Sequence, residues 1–246
     1  MIAITLMMAA VSALYGTAGQ AGGSGFVAVM TLAAFPLDQI RPTAFALNIV
    51  AAAYASVQMH RAKLVDWSLF GNLVVASVPA ALLGGLVVLR GPVYSGVTGA
   101  LLLVAAILMA ARMSGHEPRP LPRASAFFAG AVTGFASGIT GVGGGVFLSS
   151  VLILFGKVSP RTTAALSPPF IVVNSLASLL GLLLAGQRVP LAAAPFAAAA
   201  VVGSAIGTAI GLRWMSAHAI RLVLAGILLV AAGLMLARTL SALGHA

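Results

Sequence analysis

The sequence predicts an all-α polytopic membrane protein made of two inverted repeats, each with a glycine-broken, re-entrant helix pair and three transmembrane helices. Hydrophobic residues make up 61% of the 246 residues and charged residues only 7%. Apolar runs of about twenty residues recur along the chain, as membrane-spanning helices require. The chain is also duplicated, because Gly23 and Gly25 recur at Gly143 and Gly145. Paired glycine-broken segments at matching positions indicate a membrane repeat architecture.

The apolar runs and polar breaks divide the chain into an N-terminal repeat at residues 1–111, a linker at 112–123 and a C-terminal repeat at 124–246. The linker contains prolines and charges that forbid a span. In order, the predicted elements are a broken stretch from Ile2 to Phe35, spans from Thr43 to Met59, Trp67 to Leu89 and Val93 to Ala111, a second broken stretch from Ala124 to Phe155, and spans from Thr162 to Leu184, Leu191 to Leu212 and Ala217 to Leu240.

The two broken stretches are predicted to return to the side from which they start. At about 1.5 Å per residue, the arms before the glycines reach roughly 24 Å and those after them roughly 15 Å, against a hydrocarbon core of about 30 Å. Neither arm spans comfortably, so each stretch is expected to form a V-shaped hairpin with its glycine turn inside the membrane. Such a turn is tolerated only where it is buried in protein or lines an aqueous cavity.

The distribution of positive charge predicts the orientation. If both broken stretches are hairpins, four of the thirteen Lys and Arg residues, namely Arg41, Arg90, Arg188 and Arg238, fall on one face and the other nine on the opposite face. The positive-inside rule then places the linker in the cytoplasm and both termini outside. Each half crosses an odd number of times, so the repeats are expected to be inverted.

Several function classes are excluded by composition. The net charge of +10 comes from cations scattered at helix ends, which is typical of membrane spans and not of a nucleic-acid-binding surface. The chain has no cysteine, and its three carboxylates, Asp38, Asp66 and Glu117, fall in predicted loops. A cation pathway or metal site would require acidic or histidine clusters inside the spans. We therefore expect no metal, no cofactor and no nucleic-acid partner, and a lipid bilayer as the surroundings.

The two glycine clusters have the chemistry of an anion cradle. Where a chain turns through glycines into a helix, several backbone N–H groups lack an intrahelical partner and carry the positive end of the helix dipole. The candidate donors are Gly22, Gly23, Ser24 and Gly25 in one half and Thr140, Gly143, Gly144 and Gly145 in the other. Close helix packing through small residues is the alternative. It requires a glycine at every fourth position, as at Gly203, Gly207 and Gly211, for which we predict packing near Ala80 and Gly84.

Polar residues and prolines inside the spans are further candidates. Asn48 and Asn174 lie in apolar helices, where they either join helices or contact the substrate. Pro168 and Pro169 release backbone carbonyls and kink their helix, which serves either gating or shape.

Arg41 and Arg161 occupy equivalent positions at helix starts on opposite faces. They are either interfacial anchors or gates on the path of an anion.

The glycine clusters GGSGF and GVGGGVF, together with the segments RPTAFALNIV and RTTAALSPPF that follow them, resemble the TauE/SafE sulfite exporter family over the full chain. The resemblance implies a multi-pass exporter of sulfite or a small organosulfur anion in the bacterial inner membrane. Departures from the family pattern leave the transported anion open: Ser24 is the counterpart of Gly144 in the first half, a proline expected after each cluster is missing, and Pro168 and Pro169 stand where the first half has Asn48 and Ile49.

Two other functions compete with anion export. Gly22 to Gly25 read G-x-S-G, as in rhomboid intramembrane proteases, but a serine nucleophile needs a nearby base, and the histidines lie at span edges or in tails. A non-transporting scaffold has no use for polar backbone inside the membrane. Because the cytoplasm is electrically negative, export of an anion is favoured by about 2.3 kcal/mol per 100 mV. We therefore favour potential-driven export, with proton co-movement and the oligomeric state left open.

Overall fold

The computed structural model describes residues 1–110, 121–155, 158–214 and 217–243, and its regular structure there is helical. Most of the predicted linker, residues 112–120, lies outside the described residues. The α-helices are α1 (Ile2–Gly16), α2 (Gly23–Leu32), α3 (Leu37–Arg61), α4 (Trp67–Leu86), α5 (Gly91–Ala110), α6 (Arg123–Thr140), α7 (Gly145–Phe155), α8 (Pro160–Leu184), α9 (Ala194–Trp214) and α10 (Ala217–Leu243).

Within the described part of the chain, six helices are long and apolar enough to cross a membrane. They are Leu37–Arg61, Trp67–Leu86, Gly91–Ala110, Arg161–Leu184, Leu191–Gly211 and Leu224–Ala242. These are the six predicted spans, so the prediction of an all-α, multi-pass membrane protein is confirmed. The two broken stretches form pairs of shorter helices, of 15 and 10 residues in the first half and of 18 and 11 residues in the second.

Local sequence signals set several helix boundaries. Asp66 is the N-cap of α4, and its Oδ1 accepts a hydrogen bond from the backbone N–H of Leu69 at 3.0 Å. Ser159 is the N-cap of α8: its Oγ accepts a hydrogen bond from the backbone N–H of Thr162 at 3.1 Å, and a proline follows it directly. These side chains satisfy N–H groups that the first helical turn cannot pair internally. Gly141, in the left-handed conformation, ends α6.

The two halves pack against each other through equivalent pairs of helices. Helix α4 packs on α6 of the other half, and its counterpart α9 packs on α1; α5 packs on its own counterpart α10, and α3 on α8. The α5 and α10 helices run antiparallel, because Thr239 near the end of α10 donates to Ser95 near the start of α5 at 3.0 Å. Helices α3 and α8 also run in opposite directions, because Asp38 at the start of α3 and Gly186, just after the end of α8, line the same cavity.

Small residues allow the closest of these contacts. Gly130, Gly134 and Gly138 of α6 rest on the backbone of Leu73, Ser77 and Ala81 of α4. Gly203, Gly207 and Gly211 of α9 rest on Ala9 and Ala13 of α1 and on Thr17 directly after it. The last three glycines therefore form a packing face as predicted, but the expected partners Ala80 and Gly84 are wrong. The reason is that α9 packs on the first helix of the opposite half, while Gly84 packs against Phe135 and Gly138.

A wide cavity of about 790 Å³ opens at the end of the bundle where α3 begins. Its lining comes from the start of α3, the loop between α4 and α5, and the loop after α8. The charged residues among its lining are Asp38, Arg90 and Arg188. Arg238 reaches the same end of the molecule, because its Nη2 donates to the carbonyl oxygen of Phe35 at 3.2 Å. We call this space the arginine cavity.

Candidate functional site

Two glycine turns, one between α1 and α2 and the other between α6 and α7, form the centre of the molecule. Their glycines are buried, and five have left-handed backbone angles, with φ of 68° at Gly19, 122° at Gly22, 88° at Gly141, 82° at Gly143 and 85° at Gly144. Side chains other than glycine rarely adopt such angles without strain. The glycines therefore allow each chain to reverse sharply inside the protein and start a new helix.

The two turns meet each other at Asn48. A Cβ atom added to Gly23 would collide with the carbonyl oxygen of Val142 and would lie 2.9 Å from Nδ2 of Asn48. A Cβ atom on Gly143 would also lie 2.9 Å from that Nδ2, and 3.1 Å from Oγ of Ser175. Asn48 is the twelfth of the 25 residues of α3, so it stands halfway along a helix that is long enough to cross the membrane.

The meeting point carries polar atoms that lack a protein partner. Asn48 donates from Nδ2 to the carbonyl oxygen of Gly141 at 3.3 Å, while its Oδ1 is buried and accepts no hydrogen bond. The hydroxyls of Ser137 and Ser175 are also buried without a partner. Ser137 Oγ would lie 3.4 Å from a Cβ atom on Gly144. Buried polar groups are normally hydrogen-bonded, so this cluster is suited to a polar ligand.

Two helices have their N-termini where the glycine turns meet. Helix α2 starts at Gly23 and α7 at Gly145. The N–H groups of a first helical turn have no partner within the helix and carry a partial positive charge. Together with the Asn48 amide and the serine hydroxyls, they give the site hydrogen-bond donors from both halves of the chain. This set of donors favours a small anion.

The other residues predicted for the site have partners of their own. Ser24 is hydrogen-bonded to the hydroxyl of Tyr15. Thr140 donates to the carbonyl oxygen of Ala136 at 2.7 Å. Its hydroxyl is therefore hydrogen-bonded within the last turn of α6 and is not the additional free donor expected from the sequence. Asn174 donates to the carbonyl oxygen of Phe170 in its own helix at 2.8 Å, and its buried Oδ1 has no partner.

Pro168 and Pro169 are buried inside α8. Because proline has no N–H, Pro168 leaves the carbonyl oxygen of Ala164 without its helical partner. The first glycine turn approaches that carbonyl so closely at Gly19, where φ is 68°, that a Cβ atom there would collide with it. The carbonyl oxygen that Pro168 leaves unpaired therefore lies at a close contact between α8 and the first half of the chain.

The two arginines that are equivalent in sequence differ in the structure. Arg161 is exposed at the start of α8, as an interfacial anchor would be. Arg41 is only 2% exposed and donates from Nη1 to the carbonyl oxygen of Val87 at 2.8 Å. Its Nη2 donates to the carbonyl oxygens of Gly84, at 3.1 Å, and Gly138. Arg41 is therefore not an anchor at the membrane surface.

A buried polar triad was not predicted from the sequence. Gln20, which is 2% exposed, donates from Nε2 to the hydroxyls of Ser149 and Ser167, each at 3.0 Å. These contacts join the first glycine turn to α7 and α8. The signal that could have revealed the triad is Gln20 itself, a large polar side chain two positions before a glycine cluster in an apolar stretch.

The structure gives the protease interpretation no support at Ser24, whose hydroxyl partner is Tyr15. His60 lies near the end of α3, where its ring packs edge-on against Trp67 with centroids 5.6 Å apart. Among the described residues, no group of three or more histidine, cysteine or acidic side chains could hold a metal ion.

Comparison with known proteins gives the same class of protein as the geometry. Residues 4–235 match the sulfite exporter TauE/SafE family. A probable membrane transporter protein of Sinorhizobium fredii, y4hK, is 35% identical over 235 residues, which cover 93% of this chain and 95% of that relative. No solved structure matches the chain. The family consists of membrane transporters and not of proteases, and with a match over nearly its whole length this chain belongs to the TauE/SafE family.

Proposed function

We propose that this transporter exports sulfite or a small organosulfur anion across the bacterial inner membrane, and that the anion binds where the two glycine turns meet. The observation that carries the proposal is the convergence of both turns on Asn48, beside buried hydroxyls of Ser137 and Ser175 that have no protein partner. A pyramidal or tetrahedral oxyanion presents several acceptor oxygens in different directions. It would therefore use donors from both halves at once.

The charges of the described residues favour an anion over a cation at this position. Asp38 and Asp66 lie at the ends of helices and are exposed, and the site is formed by amides, hydroxyls and helix N-termini. A cation at the centre of the bilayer would need carboxylates or carbonyl groups aimed at it. The donors described above would instead stabilise negative charge.

We further propose that the repeats are inverted and that transport occurs by alternating access around this site. Support comes from helix directions, since α10 runs antiparallel to its counterpart α5, and α3 begins where α8 ends. Inverted repeats that share one central site are a common basis for rocking between outward-open and inward-open states. On the positive-inside rule, we propose that both termini lie outside the cytoplasm.

The experiment that tests the function is a flux assay in vesicles, with radiolabelled sulfite, alkyl sulfonates and sulfate as the probes. We expect one of the first two classes to be transported. Asn48→Asp keeps the shape of the side chain but replaces the Nδ2 donor by a negatively charged oxygen, so anion flux should fall by at least tenfold. Asn72→Asp makes the same chemical change at a partly exposed position on α4 and should leave flux unchanged. Equal flux in both variants would contradict the proposed site.

A further inference from the structure

Arg41 is a buried cation whose hydrogen bonds in the described structure go to backbone carbonyls. Its three acceptors are the carbonyl oxygens of Gly84 and Val87, at the end of α4, and of Gly138, near the end of α6. Carbonyls at helix C-termini carry partial negative charge, so they stabilise a guanidinium. They are weaker partners than an oxyanion, which the guanidinium fork can bind through two parallel hydrogen bonds.

The guanidinium also has an unused donor. Nε of Arg41 is buried and has no hydrogen-bond partner. A buried N–H without an acceptor is costly, and the Nε and Nη donors together form the edge that matches two oxygens of an oxyanion. The side chain is thus held in place by carbonyls while part of its binding capacity remains free.

Arg41 lies between the candidate site and the arginine cavity. On one side, the Cα and Cγ atoms of Arg41 lie 3.3 Å from where a Cβ atom of Gly141 would stand, and Gly141 accepts the hydrogen bond of Asn48. On the other side, Val87, which accepts a hydrogen bond from Arg41, is followed in the chain by Val88, which lines the cavity. Asp38, one turn before Arg41 on α3, also lines the cavity.

One face of α3 connects these places. Arg41, Ala44 and Asn48 are spaced three and four residues apart, so they follow one another along the same side of the helix. All three are buried. The distance along the helix axis from Arg41 to Asn48 is about 10 Å, since each residue adds about 1.5 Å.

We propose that Arg41 is a second anion-binding station, which closes the path to the arginine cavity until the anion replaces the three carbonyls as its partner. In the structure the guanidinium binds the ends of α4 and α6 and holds them together. When the anion leaves Asn48 and binds the guanidinium, those carbonyls are released and the path opens. Arg161, exposed at the equivalent position of the other half, has no such part, so the two ends of the path are closed differently.

This inference rests on the proposed anion transport, and two measurements separate the two. The first needs no substrate: a single cysteine at Ala44, between the two stations, is labelled with a membrane-impermeant maleimide. The chain has no native cysteine, and a cysteine at the exposed Arg90 position identifies the side from which the cavity is reached. We expect slow labelling with Arg41 present, at least tenfold faster labelling with Arg41→Gln, and no change with Arg161→Gln.

The second measurement is sulfite efflux from vesicles with the same variants. Arg41→Gln should lower efflux at least tenfold although the path is open, because the charged station is lost. Arg41→Lys, which keeps the charge but not the fork, should fall between the parent and Arg41→Gln. Arg161→Gln should stay within about twofold of the parent.

The outcomes are distinguishable. Unchanged labelling in Arg41→Gln would overturn the closure, and faster labelling with undiminished efflux would overturn the anion station. If Arg41→Gln does not fold, Arg41→Lys decides, and a lysine variant equal to the parent in both measurements would overturn the proposal. A parent protein that moves none of the sulfur oxyanions would contradict the proposed function, whereas the labelling would still test the closure.

Discussion

Arg41 and Asn48, seven residues apart on α3, both contact Gly141. Carbon atoms of Arg41 lie 3.3 Å from the position that a Cβ atom of Gly141 would take, and Nδ2 of Asn48 is 3.3 Å from its carbonyl oxygen. A helix of the first half thus holds the glycine turn of the second half at two points. Movement of α3 relative to that turn would change both contacts together, which couples the proposed binding site to the proposed closure.

The unpartnered serine hydroxyls allow binding to be separated from stability. Ser137→Ala combined with Ser175→Ala removes two hydroxyls that make no protein hydrogen bond, so thermal stability should stay the same or rise slightly. Their loss should raise the substrate concentration for half-maximal flux by about tenfold, as expected for one or two hydrogen bonds to an anion. The measurements are vesicle flux against sulfite concentration and thermal unfolding in detergent.

Ser149→Ala combined with Ser167→Ala is the matched control for these hydroxyls. Both serines accept hydrogen bonds from Gln20, so the change leaves the buried amide unsatisfied and should lower the unfolding temperature. If the two pairs of substitutions had the same effect on stability, the assignment of free and partnered hydroxyls would be wrong.

The glycines of α9 should be required for folding. Gly207→Leu places a side chain where even a Cβ atom would collide with the carbonyl oxygen of Ala13, so it should separate α9 from α1 and reduce the yield of monodisperse protein several-fold. Gly226→Leu adds the same side chain in α10 at a position with open space around it and should leave the yield unchanged. The yield after detergent extraction and size-exclusion chromatography checks both results.

The sequence predicts the helical class and the six spans well, because long apolar runs have one stable form in a membrane. It also identifies both glycine clusters. It could not reveal that Gly143 and Gly144 have left-handed backbone angles, so a leucine at Gly144 would strain the turn as well as fill the site. Nor could it show that Asn48 joins the two turns, since that contact depends on how the halves pack.

The difference between Arg41 and Arg161 was hidden for the same reason. Each lies beside a proline near a helix start, Arg41 before Pro42 and Arg161 after Pro160, and these local sequences give no reason to expect different burial. Only the packing of α4 and α6 around the start of α3 supplies the three carbonyl acceptors of Arg41. Tertiary contacts, not local pattern, decide which of the two arginines is buried.

The proposed orientation can be checked with single cysteines at Ser114 and Ser241. Ser114 lies in the linker, outside the described residues, and Ser241 is exposed near the end of α10. The nine-to-four division of basic residues predicts that the cysteine at 114 reacts only from the cytoplasm and the one at 241 only from outside. Labelling of both from the same side would exclude the inverted arrangement.

Transport should follow the membrane potential and need no titratable carboxylate of the protein. In vesicles, sulfite efflux should accelerate when a potassium diffusion potential makes the interior negative, because each 100 mV favours the exit of one negative charge by about 2.3 kcal/mol. The combined variant Asp38→Asn, Asp66→Asn and Glu117→Gln removes all three carboxylates of the chain. It should keep most of the rate, since asparagine at position 66 can still begin α4 as a helix cap. Loss of flux in the folded variant, or flux that follows a pH gradient and ignores voltage, would instead indicate a proton-linked cycle, for which a histidine such as His60 would be the first carrier to test.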